Sequence, residues 1–323
     1  MERITVMSMK KNKKSLFFGI WIWILILLTA GCSLPQPNGK TKDTGPGTAL
    51  EKATAKVQAL GRAPRIIATS PATVEICNKL DLDLVGVPNS SVSVLPGRYK
   101  KATRIGAAMN PDMEKVSSLS PDWILAPVSL KPDLQPKFEA IHSEWAFLNL
   151  SSINGMFQSI QELGKIFHRQ KQANRLVGEY QHFVEVYRKK HSKKQKPKVL
   201  ILMGLPGSYV IGTNRSYVGS LVELAGGESV YQSDHQAFVN VNTEELKKKD
   251  PDVILRAAHA LPDKVQAMFD KDFKTNDIWK HFDAVAKDRV YDLSYRHFGM
   301  SANFEYQNAL KELEPMLYPK QSE

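Results

Sequence analysis

Cysteine is nearly absent: Cys32 and Cys77 are the only two in 323 residues. Disulfides therefore cannot be what holds a chain of this length together, and packing must do it. No Gly-x-Ser-x-Gly elbow, His-Glu-x-x-His pair or phosphate-binding loop occurs, which lowers the prior for an exported enzyme. No His-rich loop or obvious ligand cluster suits a small hard metal ion. The basic runs Lys193-Lys194-Gln195-Lys196 and Lys247-Lys248-Lys249 lack zinc-finger spacing or RNP-like aromatics, so they read as solvated faces and no nucleic-acid partner is expected. Long apolar runs are missing too, except Leu16–Leu28, whose 13 residues fall short of the roughly 20 a permanent membrane span needs.

That run follows Arg3, Lys10, Lys11, Lys13 and Lys14 and precedes Thr29-Ala30-Gly31-Cys32, the pattern of a secretion signal over residues 1–31. Leu28-Thr29-Ala30-Gly31-Cys32 resembles a bacterial lipobox, which implies cleavage before Cys32 and lipidation of that cysteine. Residues 32–63 are rich in Pro, Gly, Lys and Thr and read as a solvated tether, with Ala49 to Leu60 as a passing helix. Removing residues 1–32 takes away five basic side chains and one acid, so the formal charge falls from +11 to +7. With Cys32 acylated, Cys77 has no partner; it sits in a helical stretch and reads as a small buried apolar residue.

Pro121-Asp122-Trp123-Ile124-Leu125 returns as Pro251-Asp252-Val253-Ile254-Leu255, each copy with a glutamate seven residues before its proline, Glu114 and Glu244. Each copy reads as a helix with an acid near its start, a turn and a short buried strand, one crossover unit of a parallel sheet. Two such units predict an α/β protein of two lobes, 64–150 and 197–323, each a central sheet flanked by helices with a ligand cleft between. The periodic positions of 151–196 predict linking helices, one of them long, acting as a strut that limits lobe movement. Met109 stands before the first unit and His259 after the second strand, one soft donor and one imidazole per lobe. Asn110 and Pro111 predict a helix cap and first position that aim the Met109 loop.

Lys198-Val199-Leu200-Ile201-Leu202-Met203-Gly204, Pro206-Gly207-Ser208-Tyr209 and Asn276-Asp277-Ile278-Trp279-Lys280-His281-Phe282 resemble the haem receptors among the helical-backbone ABC-transporter binding proteins. The likeness extends over Arg65 to Ala302, through Gly106-Ala107-Ala108-Met109-Asn110-Pro111 and Arg256-Ala257-Ala258-His259-Ala260-Leu261-Pro262. It implies a binding protein rather than an enzyme, with haem as noncovalent cargo and Met109 and His259 as its axial iron ligands. A thioether and an imidazole form a known axial pair, and no Cys-x-x-Cys-His attachment motif is present. His297 is the rival ligand.

The resemblance further implies propionate contacts at Ala72, Thr73, Ser90 and Ser91, although Pro71 has no amide hydrogen and capping or turn formation explains each residue alone. Tyr209 and Phe298 are candidate walls for the flat ring. Glu114 and Glu244 match paired acids that meet permease arginines, with Glu245 as an alternative to Glu244 and dipole compensation as the plainer explanation. Implied partners are haem, an ABC permease with its ATPase, upstream surface haem donors, and the membrane through the lipid, at the extracytoplasmic face. A ferric-siderophore receptor of the same fold would use Arg98, Tyr99, Arg256 and Arg296 as donors; a secreted lipoprotein enzyme is the reading of another class.

Overall fold

The computed structural model describes residues 48–90, 94–191, 195–240, 242–259 and 261–319. Cys32 and the run 16–28 lie outside them. Helix α1 (Ala49–Ala59) opens the fold through a capping box between Thr48 and Glu51. This corrects the expected 32–63 tether, because residues from 48 onward belong to the folded body. Ala53 and Val57 are buried, Lys56 pairs with Glu144, and Arg62 forks onto Asp122 at 2.7 and 2.9 Å.

The first lobe runs β1 (Ile66–Ala68), α2 (Pro71–Lys79), β2 (Leu84–Val87), β3 (Thr103–Arg104), a small hairpin of β4 (Gly106–Ala107) and β5 (Asn110–Pro111), α3 (Met113–Ser118), β6 (Trp123–Pro127), α4 (Lys131–Ala140) and β7 (Glu144–Leu148). Its sheet has the order β3-β2-β1-β6-β7 with every pairing parallel. After α5 (Ile153–Ile166) and α6 (Gln170–His191), the second lobe runs β8 (Lys198–Leu205), β9 (Ser208–Gly212), α7 (Tyr217–Leu224), β10 (Glu228–Ser229), β11 (Phe238–Val239), α8 (Thr243–Lys247), β12 (Val253–Ala258), α9 (Pro262–Thr275), α10 (Asp283–Ala286), β13 (Val290–Asp292) and α11 (Tyr306–Leu317). Its sheet has the order β11-β9-β8-β12-β13, with β10 also on β8. The unbroken apolar run of β8 places it at the centre, where both faces are covered.

The repeated Pro-Asp phrase performs the same mechanical task in each lobe. Asp122 Oδ2 accepts from the Arg65 amide at 2.7 Å while its own amide donates to the Arg65 carbonyl at 2.9 Å. Asp252 Oδ2 accepts from the Lys198 amide at 2.7 Å and its amide donates to the Lys198 carbonyl at 2.8 Å. Each aspartate thus fastens the strand it precedes to the start of the lobe's first strand. Ser120 and Asp250, just before the two prolines, both take left-handed backbone, φ 43° and 37°.

Strand alternation divides the interior. Ile66, Ala68, Trp123, Leu125, Val199, Ile201 and Met203 face one core that also holds α5, α6, α7 and α11, so this core is continuous across both lobes. Ile67, Ile124 and Ala126 pack outward against Leu134 and Phe138 of α4, and Leu200, Leu202 and Ile254 pack outward against α9. The 22 residues of α6 span about 33 Å. Tyr180 of α6 stacks on Phe157 of α5 at 4.1 Å, and Tyr306 of α11 meets both edge-on. Near the other end buried His191 bonds Glu314 of α11 at 3.0 Å.

Candidate functional site

In parallel sheets ligands collect beyond the carboxyl ends of the strands, where loops and helix starts converge. The candidate residues fall there in both lobes: Ala72 and Thr73 after β1, Ser90 after β2, Met109 after β3, His259 after β12 and His297 after β13. These two edges are tied together. The Ala302 amide donates to the Leu150 carbonyl at 2.8 Å, joining the segment after β13 to the one after β7. The Ile153 amide at the start of α5 donates to Ser220 of α7 at 3.4 Å.

Met109 is aimed by a hairpin, not by the expected helix cap. Gly106 pairs with Pro111 and Ala107 with Asn110, leaving Ala108 and Met109 as a two-residue tip. The cap of α3 is Asp112, whose carboxylate accepts from the Lys115 amide at 3.2 Å. Two physical facts favour this arrangement: the residue before a proline is held extended, and a carboxylate at a helix start also meets the dipole. Gly106 at φ +93° makes the entry turn that side chains resist. Lys137 braces the tip by donating to Asn110 Oδ1 at 3.1 Å. The Met109 side chain is 64% exposed, so its thioether is available.

His259 follows β12 directly, its amide donating to the Gly204 carbonyl at 2.9 Å. Burial pushes its imidazole below the ordinary histidine range. A neutral ring keeps the lone pair that metal ligation requires. Its Nδ1 is buried without a hydrogen-bond partner among the described residues. A thioether and an imidazole are both side chains that a transition metal accepts as ligands, whereas no cluster of three His, Cys, Asp or Glu occurs among the described residues.

His297 is differently committed: Nδ1 lies 2.7 Å from Glu312 and 3.0 Å from Ser294, with Glu305 at 3.9 Å from Nε2. Phe298 is fully buried in the shared core and presents no surface to a ring, so it is not a wall. Tyr209 is half-buried in β9, pairs with Gly204 and turns its hydroxyl to Asp272 at 3.1 Å. Thr73 is buried in a reciprocal capping box with Ser70, leaving the Ala72 amide as the first-turn donor without a protein partner among the described residues. Ser90 is half-buried. Ser91 and the side chain of Glu244 lie outside what is described; Glu114 is exposed in the first turn of α3.

Leu261 escaped the sequence reading. Two residues beyond His259, it is 52% exposed and left-handed, φ 46° and ψ 59°. A leucine before proline carries no letter-level signal for that conformation. Val94, fully exposed on the loop after β2, escaped it as well.

The family model for periplasmic binding proteins matches residues 66–296. The chain belongs to that family. It is 41% identical over 255 residues to the high-affinity heme uptake system protein IsdE of Staphylococcus aureus, covering 79% of this chain and 87% of that protein. Among solved structures, an ABC transporter substrate-binding protein from Listeria monocytogenes is 47% identical with TM-score 0.75, covering 80% of this chain and 99% of that one. S. aureus IsdE complexed with heme is 41% identical with TM-score 0.75, covering 79% and 99%. The two-lobed α/β architecture is thus the family's, and the chain is a binding protein rather than an enzyme.

Proposed function

We propose that this chain is a lipid-anchored receptor at the extracytoplasmic face of the cell membrane that captures one haem and delivers it to an ABC permease for iron acquisition. The observation that carries the reading is the pair of available donors, exposed Met109 and neutral His259, on the ligand-collecting edges of a chain 41% identical to a heme uptake protein. In this reading the iron sits between the Met109 sulfur and the His259 imidazole. The propionates meet the Ala72 amide and the Thr73, Ser90 and Ser91 region, and Tyr209 borders the ring. His297 is the weaker ligand because Glu312 and Ser294 already engage its Nδ1. Haem remains noncovalent and hence releasable.

Glu114 and Glu244 are proposed to meet the permease, which works with its ATPase, while surface haem donors supply the cargo. Cap geometry favours Glu244 over Glu245. The Lys115 and Val116 amides donate to the Asp112 side chain and carbonyl, and the Glu245 and Leu246 amides donate likewise to Asn242. Glu114 and Glu244 each stand two residues beyond that capping residue. Glu245 is instead paired with Lys249 at 3.5 Å.

The siderophore alternative loses support from its own donors. Arg98 is held by Asp81 and Asp83, the Tyr99 hydroxyl donates to the Leu82 carbonyl, and Arg256 is buried between Asp270 and Asp292. The deciding experiment is haem titration of the detergent-solubilised full chain with Met109→Ala and His259→Ala variants. Stoichiometric binding with an axial spectrum altered in each variant supports the reading. Wild-type spectra in both variants remove the ligand assignment, and quenching by ferric siderophores without haem binding removes the function.

A further inference from the structure

Four large hydrophobic side chains stand exposed among the described residues: Val94, Met109, Val186 and Leu261. Three of them lie on loops at the carboxyl edges of the two sheets, and only Val186, on α6, does not. Leu261 differs from the others because its backbone is held against preference. In the left-handed region the Cβ of a non-glycine residue crowds the following carbonyl oxygen, which disfavours it. Its position before Pro262 adds a steric bias toward extended backbone. Nothing in the fold is served by the side chain, which makes no cap for α9 and is half exposed. The backbone is nonetheless used: the Leu261 carbonyl accepts from the Lys264 and Val265 amides at 3.0 and 3.1 Å. The twist starts α9 and at the same time turns an isobutyl group to solvent, two residues beyond His259.

Resting on the haem reading above, we infer that Leu261 is an affinity-determining residue for the cargo, an apolar contact held ready for the porphyrin face beside His259. Left-handed backbone before a proline is disfavoured for leucine, and a flat apolar macrocycle gripped at its iron supplies its exposed side chain with a partner. Leu261 touches ring and not iron, so its loss should quicken haem release without changing the axial ligands.

The test uses detergent-solubilised full chain and its Leu261→Ala, Leu261→Gly and Leu261→Met variants. Each is loaded with haem, and transfer to excess apomyoglobin is followed. The alanine and glycine variants should lose haem roughly tenfold faster, as removal of one half-buried isobutyl group implies, with unchanged Soret positions; methionine should restore slow release. Glycine also relieves the backbone, so its melting temperature should be no lower than that of the parent, which separates lost contact from lost fold. Wild-type release rates in both the alanine and glycine variants overturn the inference while leaving the proposed function standing. A parent chain that takes up no haem overturns the proposed function instead.

Discussion

Gly204→Ala tests how the second lobe positions His259. Gly204 lies in β8 between Tyr209 of β9 and Ala258 of β12, and its carbonyl holds the His259 amide at 2.9 Å. An added Cβ would stand 2.2 Å from Val265 Cγ1 and 2.8 Å from Phe269 Cε2 on α9. Neither neighbour can yield easily: both are about 1% exposed, Val265 is stiff at χ1, and Phe269 also packs on Tyr209 and under the Arg256 guanidinium. Ordinary contact requires α9 to retreat by about 1 Å, an overpacking cost of about 1–3 kcal/mol. Restriction of the unfolded chain returns about 0.4–1 kcal/mol. With two stiff buried neighbours met at 2.2 and 2.8 Å the overpacking cost lies at the top of its range, so the net loss of about 2 kcal/mol should lower the melting temperature by about 4–8 °C. Gly178→Ala is the control with the same chemistry and the opposite sign. It sits on the exposed face of α6 with nothing within 4 Å, and should gain about 0.5–1 kcal/mol. Thermal melts followed by circular dichroism read both. A Gly204→Ala chain that melts with the parent would refute the close approach of α9 to β8, and with it the account of how the His259 loop is held.

Other outcomes follow from the same contacts. Asp252→Ala should cost about 1–3 kcal/mol by leaving the Lys198 amide without its charged acceptor, and should leave haem stoichiometry unchanged; denaturant titration and haem titration check the two halves. Cys77 is buried, and burial pushes its thiol up to about 12, so iodoacetamide should label it only in denaturant; labelling of the native chain would contradict the packing of α2. Burial lowers the folded pKa of His259, so the unfolded chain binds the extra proton first as pH falls through about 6.5. Its contribution to stability is full above that pH and is lost on the way down through the lowered folded value. Haem retention, followed by Soret absorbance, should accordingly persist below pH 6.5; loss centred at or above 6.5 in the parent, absent from His259→Ala, would refute the desolvated imidazole.

Strand period, the Pro-Asp phrase and the helical stretch after residue 151 made the lobes and strut legible, because each is a local pattern with a local cause. Core sharing was not legible. Alternation along Val199–Met203 tells which residues share a face, but not that the face meets the helices that also cover the first lobe. The Met109 hairpin was missed because two-residue strands carry no period and Asn110-Pro111 imitates a helix start. Phe298 was misplaced for a related reason, since an aromatic beside a histidine gives no sign of whether it faces core or cleft. The roles proposed for Met109 and His259 came from the family resemblance rather than from any local pattern; that one side chain is exposed and that burial lowers the pKa of the other came only with the fold.

The two lobes are alike at one edge and different at the other, and that contrast bears on function. At the amino-terminal edge Asp122 and Asp252 make the same pair of bonds, each two residues after a left-handed position, Ser120 and Asp250, so the device is mechanical and independent of any ligand. At the carboxyl edge the first lobe carries a hairpin tipped by a thioether, and the second carries a short loop with an imidazole and an exposed leucine. A symmetric ligand would be served by matching edges. Unlike edges suit a cargo whose two faces must be held by different donors, strongly enough to retain it and without a covalent bond that would prevent its release. For such a cargo, groups already in place at the two edges contribute affinity without the cost of ordering them on binding.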